Sequence, residues 1–253
     1  MIAHLQTYRL DEATNETMDT SWKSLFKIGG AAALLIVFTA LIEIVITFLP
    51  GGYATSETVI DWFNLLQANW FLGLRNLGLL NIVMTALGIP MFFALYLVHR
   101  HVNQAYAAVA VIISYIGAGI FYATNRAFAM LDLSSRYAAA TTQAQRTILE
   151  AAGQAMLSVG QSHTPGTFLA FFLSEIAGII MAVVVLRGKV FNRATAYAGI
   201  AAYGFLFVFE ILSSFMPSQH NLSMILAMIG GLSSMVWYIL VARRLLQLGG
   251  SSK

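Results

Sequence analysis

Four ionisable residues lie inside long apolar stretches of this chain: Glu43, Arg126, Glu175 and Glu210. A charged side chain in hydrocarbon is unfavourable unless it is paired, protonated or hydrated, so each of the four indicates a functional site. A guanidinium can bind two carboxylates through its planar fork. We therefore predict a polar site in which Arg126 lies at the centre and the three glutamates face it.

Neighbouring polar residues extend the predicted site along the helix faces. A tyrosine lies four residues before Arg126, and another lies seven residues before Glu210; both spacings return to the same face of a helix. The predicted network, which would bind a ligand or hold the helices together, comprises eight residues: Glu43, Arg126, Glu175, Glu210, Tyr122, Asn81, Asn125 and Tyr203.

The composition places the chain among membrane proteins. Hydrophobic residues make up 58% of it and charged residues only 10%, whereas a soluble domain carries roughly 25% charged residues. There is no cysteine, which excludes disulfides, thiolate nucleophiles and cysteine metal sites. Nothing in the composition or the motifs indicates binding to nucleic acid.

Six apolar runs are long enough to cross a bilayer as helices, for which about 20 residues are needed. They predict an all-α, polytopic bundle with spans at residues 25–49, 74–98, 105–131, 168–186, 194–216 and 222–241. Residues 1–24 form a lead-in, residues 25–246 a single transmembrane domain, and residues 247–253 a flexible tail. Continuous apolar runs favour helices over the alternating strands of a barrel.

The basic residues predict the orientation of the bundle. Ten lysines and arginines fall in one set of connections and three fall in the opposite set. Cytoplasmic loops are rich in lysine and arginine, so we expect both termini in the cytoplasm and the four intramembrane charges in the outer half of the membrane.

The connection between the third and fourth spans predicts an amphipathic helix on the outer face. Thr142 and Gln145 fit a capping box, and apolar residues then recur at helical spacing to Val159. The segment is too polar to span the membrane, so it either closes the end of the bundle or acts as a lid over a site.

Motifs of enzymes and cofactors are not found in the sequence. There is no GxSxG, P-loop or GxGxxG. His163 and His220 fall on the same predicted side, but they lack the ligand spacing of a metal site. We therefore expect no catalytic residue, no metal ligand and no cofactor.

One segment resembles a known family. The residues Asn125-Arg126-Ala127-Phe128, Ser134-Ser135-Arg136-Tyr137 and the polar connector to Gly153 are similar to those of a prokaryotic integral membrane family of about six spans, known only as a domain of unknown function. The resemblance extends over residues 25–246. It implies a single-domain protein of a prokaryotic cytoplasmic membrane, and it implies no activity.

These observations predict a multi-pass protein of the cell membrane that binds or transports a small molecule at a Glu/Arg polar cavity. One alternative is an accessory or structural subunit, with a membrane-protein partner or a second copy of the chain and with the charges holding helices together. The other is a membrane-embedded enzyme acting on a lipid or isoprenoid. Membrane lipids are expected to surround the chain in every case.

Overall fold

The structure, a computed structural model, describes residues 2–48, 58–160 and 162–250, with side chains described from residue 22 onward. Within these ranges the chain consists of helices joined by connecting segments, and no strand is present. A short 3₁₀ turn, Pro217–Gln219, precedes the last helix. The helices are α1 Ile2–Phe48, α2 Val59–Ala68, α3 Trp70–Asn76, α4 Leu79–His99, α5 Gln104–Thr124, α6 Ala127–Ala139, α7 Gln143–Leu157, α8 Phe168–Gly188, α9 Arg193–Phe215 and α10 His220–Gly250.

Six segments are long and apolar enough to cross a membrane, which confirms the all-α fold and the predicted number of spans. The six long helices pack as a closed ring in the order α1, α4, α5, α8, α9 and α10, and α10 returns to α1. Large apolar side chains such as Phe38, Ile112 and Leu232 remain exposed on the outside of the ring. An exposed apolar surface of this kind suits contact with lipid.

The centre of the ring is filled by apolar side chains contributed by α4, α8 and α10. Met91, Leu95, Met181, Trp237 and Leu245 are among the most deeply buried residues. Small residues let the helices approach closely: a Cβ at Gly29 of α1 would lie 2.6 Å from the Cβ of Ala94. Close packing through small residues is the usual means of helix association in membranes.

Four shorter helices, α2, α3, α6 and α7, form a cap at one end of the ring. Their buried side chains make a second apolar cluster, centred on Trp62, Phe63 and Met130. Both α2 and α7 begin with a capping box, at Thr58 with Asp61 and at Thr142 with Gln145. The predicted amphipathic helix is thus confirmed as α7, and it packs against α2 and α6 over the bundle end.

The second and third predicted spans have different boundaries in the structure. Residues 74–76 belong to α3, and α4 begins only at Leu79, after a turn in which Gly78 has a φ of 94°. The third span, predicted as continuous over residues 105–131, is interrupted at Asn125 and Arg126. Asn125 causes this break: its side chain accepts the N–H of Ala127, and its extended backbone ends α5.

The predicted lead-in and tail are also helical where the structure describes them. α1 starts at Ile2 and continues without interruption into the first span. α10 continues to Gly250, well past residue 241, because Gly249 packs closely on Lys23 and Lys27 of α1. The last three residues of the predicted tail lie outside the described residues.

The basic residues of the connections separate between the two ends of the bundle. Arg100, Arg187, Lys189, Arg193 and Arg244 lie at helix ends remote from the cap. Arg75, Arg136 and Arg146 belong to the cap helices. The charge asymmetry counted along the sequence is therefore an asymmetry between the capped end and the uncapped end.

Candidate functional site

Glu43 of α1 forms an ion pair with Arg75 of α3. The Arg75 Nη2 atom lies 2.7 Å from Glu43 Oε1 and also donates to the Glu43 carbonyl oxygen at 3.0 Å. The same guanidinium donates to the Thr47 hydroxyl and, through Nη1, to Asn76 Oδ1. Arg75 is 5% exposed. This pair fastens the end of α1 to the cap.

The sequence contained a signal for this pair that the prediction did not use. Arg75 stands at the start of the predicted second span, on the same boundary toward which Glu43 lies. An arginine side chain is long enough to reach a carboxylate one or two helical turns below that boundary. The prediction treats Arg75 only as one of the three basic residues in the second set of connections, and it places Arg126 opposite Glu43.

Glu210 of α9 pairs with His163, which lies in the connection between α7 and α8. His163 Nδ1 is 2.6 Å from Glu210 Oε2, and Ser214 donates its hydroxyl to Glu210 Oε1 at 3.2 Å. Glu210 is 1% exposed, whereas the His163 side chain is 34% exposed. The pair therefore links a deeply buried carboxyl to the surface of the capped end.

The backbone and two aromatic rings hold His163 in position. The backbone of His163 has a φ of 62°, in the left-handed region that residues other than glycine seldom adopt. Ser213 of α9 donates its hydroxyl to the His163 carbonyl at 3.0 Å. The imidazole packs against two phenylalanines: its centroid lies 4.2 Å from that of Phe171 and 4.8 Å from that of Phe209. A strained conformation maintained by several contacts is typical of functional sites.

Glu175 of α8 lies beside this pair. Its carboxyl is within electrostatic range of Glu210 and of the hydroxyls of Tyr203 and Tyr238. Its Oε2 atom is buried and has no hydrogen-bond partner among the described residues. The Tyr203 hydroxyl donates to the Tyr238 hydroxyl at 3.4 Å. We call Glu175, Glu210, His163, Tyr203 and Tyr238 the glutamate cluster.

The cluster extends from the capped end toward the middle of the bundle. Glu210 is five residues from the end of α9 at Phe215, and Tyr203 is seven residues further in. At 1.5 Å per residue, these positions lie about 8 and about 18 Å from that end. Trp237 lies at the inner limit of the cluster. It is fully buried, and its ring centroid is 5.1 Å from that of Tyr203.

Arg126 lies at the break between α5 and α6. It is 6% exposed, it has no ion pair among the residues that the structure describes, and its Nε atom has no hydrogen-bond partner there. The adjacent Asn125 donates from Nδ2 to the Leu77 carbonyl at 3.3 Å. The predicted arrangement, with three glutamates facing Arg126, thus differs from the observed pairing of Glu43 with Arg75 and of Glu210 with His163.

The other predicted site residues are divided between the interior and the surface. Asn81 donates to the hydroxyl of Ser162, next to His163, at a distance of 3.5 Å. Tyr203 belongs to the glutamate cluster, as described above. Tyr122 is 39% exposed and packs edge-on against Phe121. The predicted set thus includes Glu175, Glu210 and Tyr203 of the glutamate cluster, but it does not include His163, which lies in a connecting segment.

These features define a multi-pass membrane protein: a ring of six apolar helices, capped at one end, with polar residues beneath the cap. The chain belongs to the family described as Domain of unknown function (DUF4386), whose model matches residues 41–242. No curated protein and no solved structure matches the chain. The family description assigns no activity, so a function must be argued from the residues themselves.

Proposed function

We propose that this protein binds a small cationic molecule at the glutamate cluster, as a step in transporting that molecule. The observation that carries the proposal is the buried Oε2 atom of Glu175, which has no hydrogen-bond partner among the described residues and belongs to a carboxyl within electrostatic range of Glu210. A buried acceptor without a partner is destabilising unless a ligand or water satisfies it.

The charge of the cluster favours a cation over an anion. Glu210 has a basic partner in His163, whereas Glu175 has no basic partner among the described residues. Two carboxylates close together in a low-dielectric interior repel one another. A bound cation would reduce that repulsion and would supply the donor that the free oxygen of Glu175 lacks.

The aromatic side chains around the carboxyls fit an organic cation. The centroid of the Trp237 ring lies 5.1 Å from that of Tyr203 and 5.1 Å from that of Tyr238, and the Tyr203 ring lies against Gly178 of α8. Aromatic faces attract quaternary and primary ammonium groups, most strongly where water is excluded. Carboxylates combined with aromatic rings are a common arrangement for recognising amines.

We place the start of the route to the site at His163, whose side chain is 34% exposed. The ten-to-three distribution of basic residues supports cytoplasmic termini and an outward-facing cap in the cell membrane, and the family resemblance supports a prokaryotic cell. The ligand would then enter from outside the cell, beside the imidazole, and reach Glu175 behind Glu210.

A thermal-shift experiment with choline tests the proposal. Choline is added to the protein in a non-ionic detergent, and the neutral isostere 3,3-dimethyl-1-butanol serves as the control ligand. We expect choline to raise the unfolding midpoint of the wild type and to have little effect on Glu175→Gln or Glu210→Gln. Asp132→Asn, an exposed carboxyl on α6, is the matched control variant and should respond as the wild type does.

The comparison of the two ligands decides between a cation site and a nonspecific effect. Equal stabilisation by choline and its isostere would show that the charge is not recognised. An unchanged choline response in both glutamine variants would place the binding elsewhere. If choline has no effect on the wild type, a panel of primary amines, beginning with methylammonium, extends the test, and failure of the whole panel refutes the proposal.

A further inference from the structure

The guanidinium of Arg126 lies in a buried residue and has no acidic partner among the residues that the structure describes. It is 6% exposed, no carboxylate of the described residues pairs with it, and no hydrogen bond to its side chain is present there. The other buried arginine, Arg75, makes an ion pair and several hydrogen bonds. Removing a charge from water without compensation is costly, so the contrast points to an anionic ligand at Arg126.

The helix that begins at Arg126 adds to the preference for an anion. Arg126 is the N-cap of α6, a helix of 13 residues, and of its first N–H groups that of Ala127 already donates to Asn125 Oδ1. The first turn of α6 contains no acidic residue. The first N–H groups of a helix lack partners within the helix, and the helix dipole places partial positive charge there. Guanidinium and helix start therefore favour the same charge.

The surroundings of this helix start favour a phosphate group at the membrane boundary. Phe128, two residues after Arg126, is 58% exposed, and Tyr122, four residues before it, is 39% exposed. Tyrosine and tryptophan are enriched at the level of lipid headgroups in membrane proteins, which suits Tyr122 to a position at that level. A guanidinium binds two phosphate oxygens through its fork, which gives it an advantage over lysine at such a site.

We propose that Arg126 and the first turn of α6 bind a phosphate group, either of a lipid headgroup or of a free anion. This site goes beyond the proposed function, because it recognises the opposite charge through different residues. The two proposals can therefore fail separately: loss of phosphate binding leaves the choline response intact, and loss of the choline response leaves phosphate binding intact.

The test measures the stability of delipidated protein in non-ionic detergent. Sodium phosphate is titrated against sodium chloride at constant ionic strength, and dihexanoyl phosphatidic acid is compared with dihexanoyl glycerol. The variants are Arg126→Gln and Arg126→Lys. Arg136→Gln is the matched control, because it makes the same change on the same helix at an exposed arginine that pairs only with Asp132.

We expect phosphate to raise the unfolding midpoint of the wild type and of Arg136→Gln more than chloride does. Arg126→Gln should weaken the apparent affinity by about tenfold or more, which corresponds to the loss of one charge-assisted hydrogen bond. Arg126→Lys should retain part of the affinity, because it keeps the charge and loses the fork. A response to phosphatidic acid without a response to inorganic phosphate would identify the ligand as a lipid.

Two results would overturn this proposal. One is a wild-type midpoint that rises no more with phosphate than with chloride and no more with phosphatidic acid than with the neutral glyceride. The other is unchanged phosphate affinity in Arg126→Gln. If Arg126→Gln does not fold, the comparison of wild type with Arg126→Lys decides the matter: equal affinities would contradict a site built on the guanidinium.

Discussion

The helices α8 and α9 pack closely at Gly178, and adding one methyl group there should be destabilising. A Cβ at Gly178 would lie 2.2 Å from Cδ1 and 2.3 Å from Cγ of the Tyr203 ring. These atoms are near the base of the side chain, and Tyr203 is 5% exposed, so a rotation of the ring tip does not remove the clash. The helices must separate, or the ring must leave its position beside Trp237.

The magnitude follows from the cost of overpacking. Inserting a methyl group into a well-packed core costs about 1–3 kcal/mol. Gly204→Ala in α9 is the matched control, because no atom lies within 4 Å of its added Cβ. In an open helical position, alanine is more favourable than glycine by about 0.5–1 kcal/mol. Both variants gain this helix propensity, so they should differ in free energy of unfolding by the overpacking cost alone, about 1–3 kcal/mol.

Titration of the purified protein with sodium dodecyl sulfate in mixed micelles measures this difference. Circular dichroism follows the helices, and tryptophan fluorescence follows the four tryptophans, which include Trp237 beside the Tyr203 ring. Gly178→Ala should unfold at a lower detergent fraction than the wild type, and Gly204→Ala at the same fraction or a higher one. Equal stabilities of the two variants would refute the close packing of α8 on Tyr203.

Two further predictions concern the cap and the orientation. Arg75→Gln should lower the free energy of unfolding by about 2–4 kcal/mol, because it leaves the Glu43 carboxyl without its partner. The double variant Arg75→Gln with Glu43→Gln should recover part of that loss. If the free-energy changes of the two single variants simply add in the same titration, the ion pair is contradicted. The chain has no cysteine, so single cysteines report the orientation in living cells. A membrane-impermeant maleimide should label Ser135→Cys in intact cells and Gln104→Cys only after permeabilisation, and the reverse pattern would contradict cytoplasmic termini.

The local features of the fold could be predicted because they depend on short stretches of sequence. Long apolar runs predict spanning helices wherever they occur, and all six are present. The capping box at Thr142 predicts the start of α7, because the two side chains that close it are only three residues apart. The separation of basic residues between the two bundle ends follows from the order of the spans.

The interruption of the third span shows where local reasoning fails. Residues 105–131 read as one apolar run, and hydropathy alone does not distinguish a continuous helix from two helices. Asn125 ends α5 because its side chain satisfies the N–H of Ala127 and also reaches the Leu77 carbonyl, 48 positions earlier in the chain. That second contact exists only after α4 and α5 have packed together.

The sequence by itself determined that this is a helical membrane protein with six segments long and apolar enough to span, and it predicted a common depth for the carboxyls within them. The tertiary structure decided which charges meet: Arg75 approaches Glu43, His163 approaches Glu210, and Arg126 has no acidic partner in the part of the chain that the structure describes. The reason is physical. Depth in a membrane follows from counting residues along one helix, whereas pairing depends on how each helix is rotated and on where the connecting segments pass.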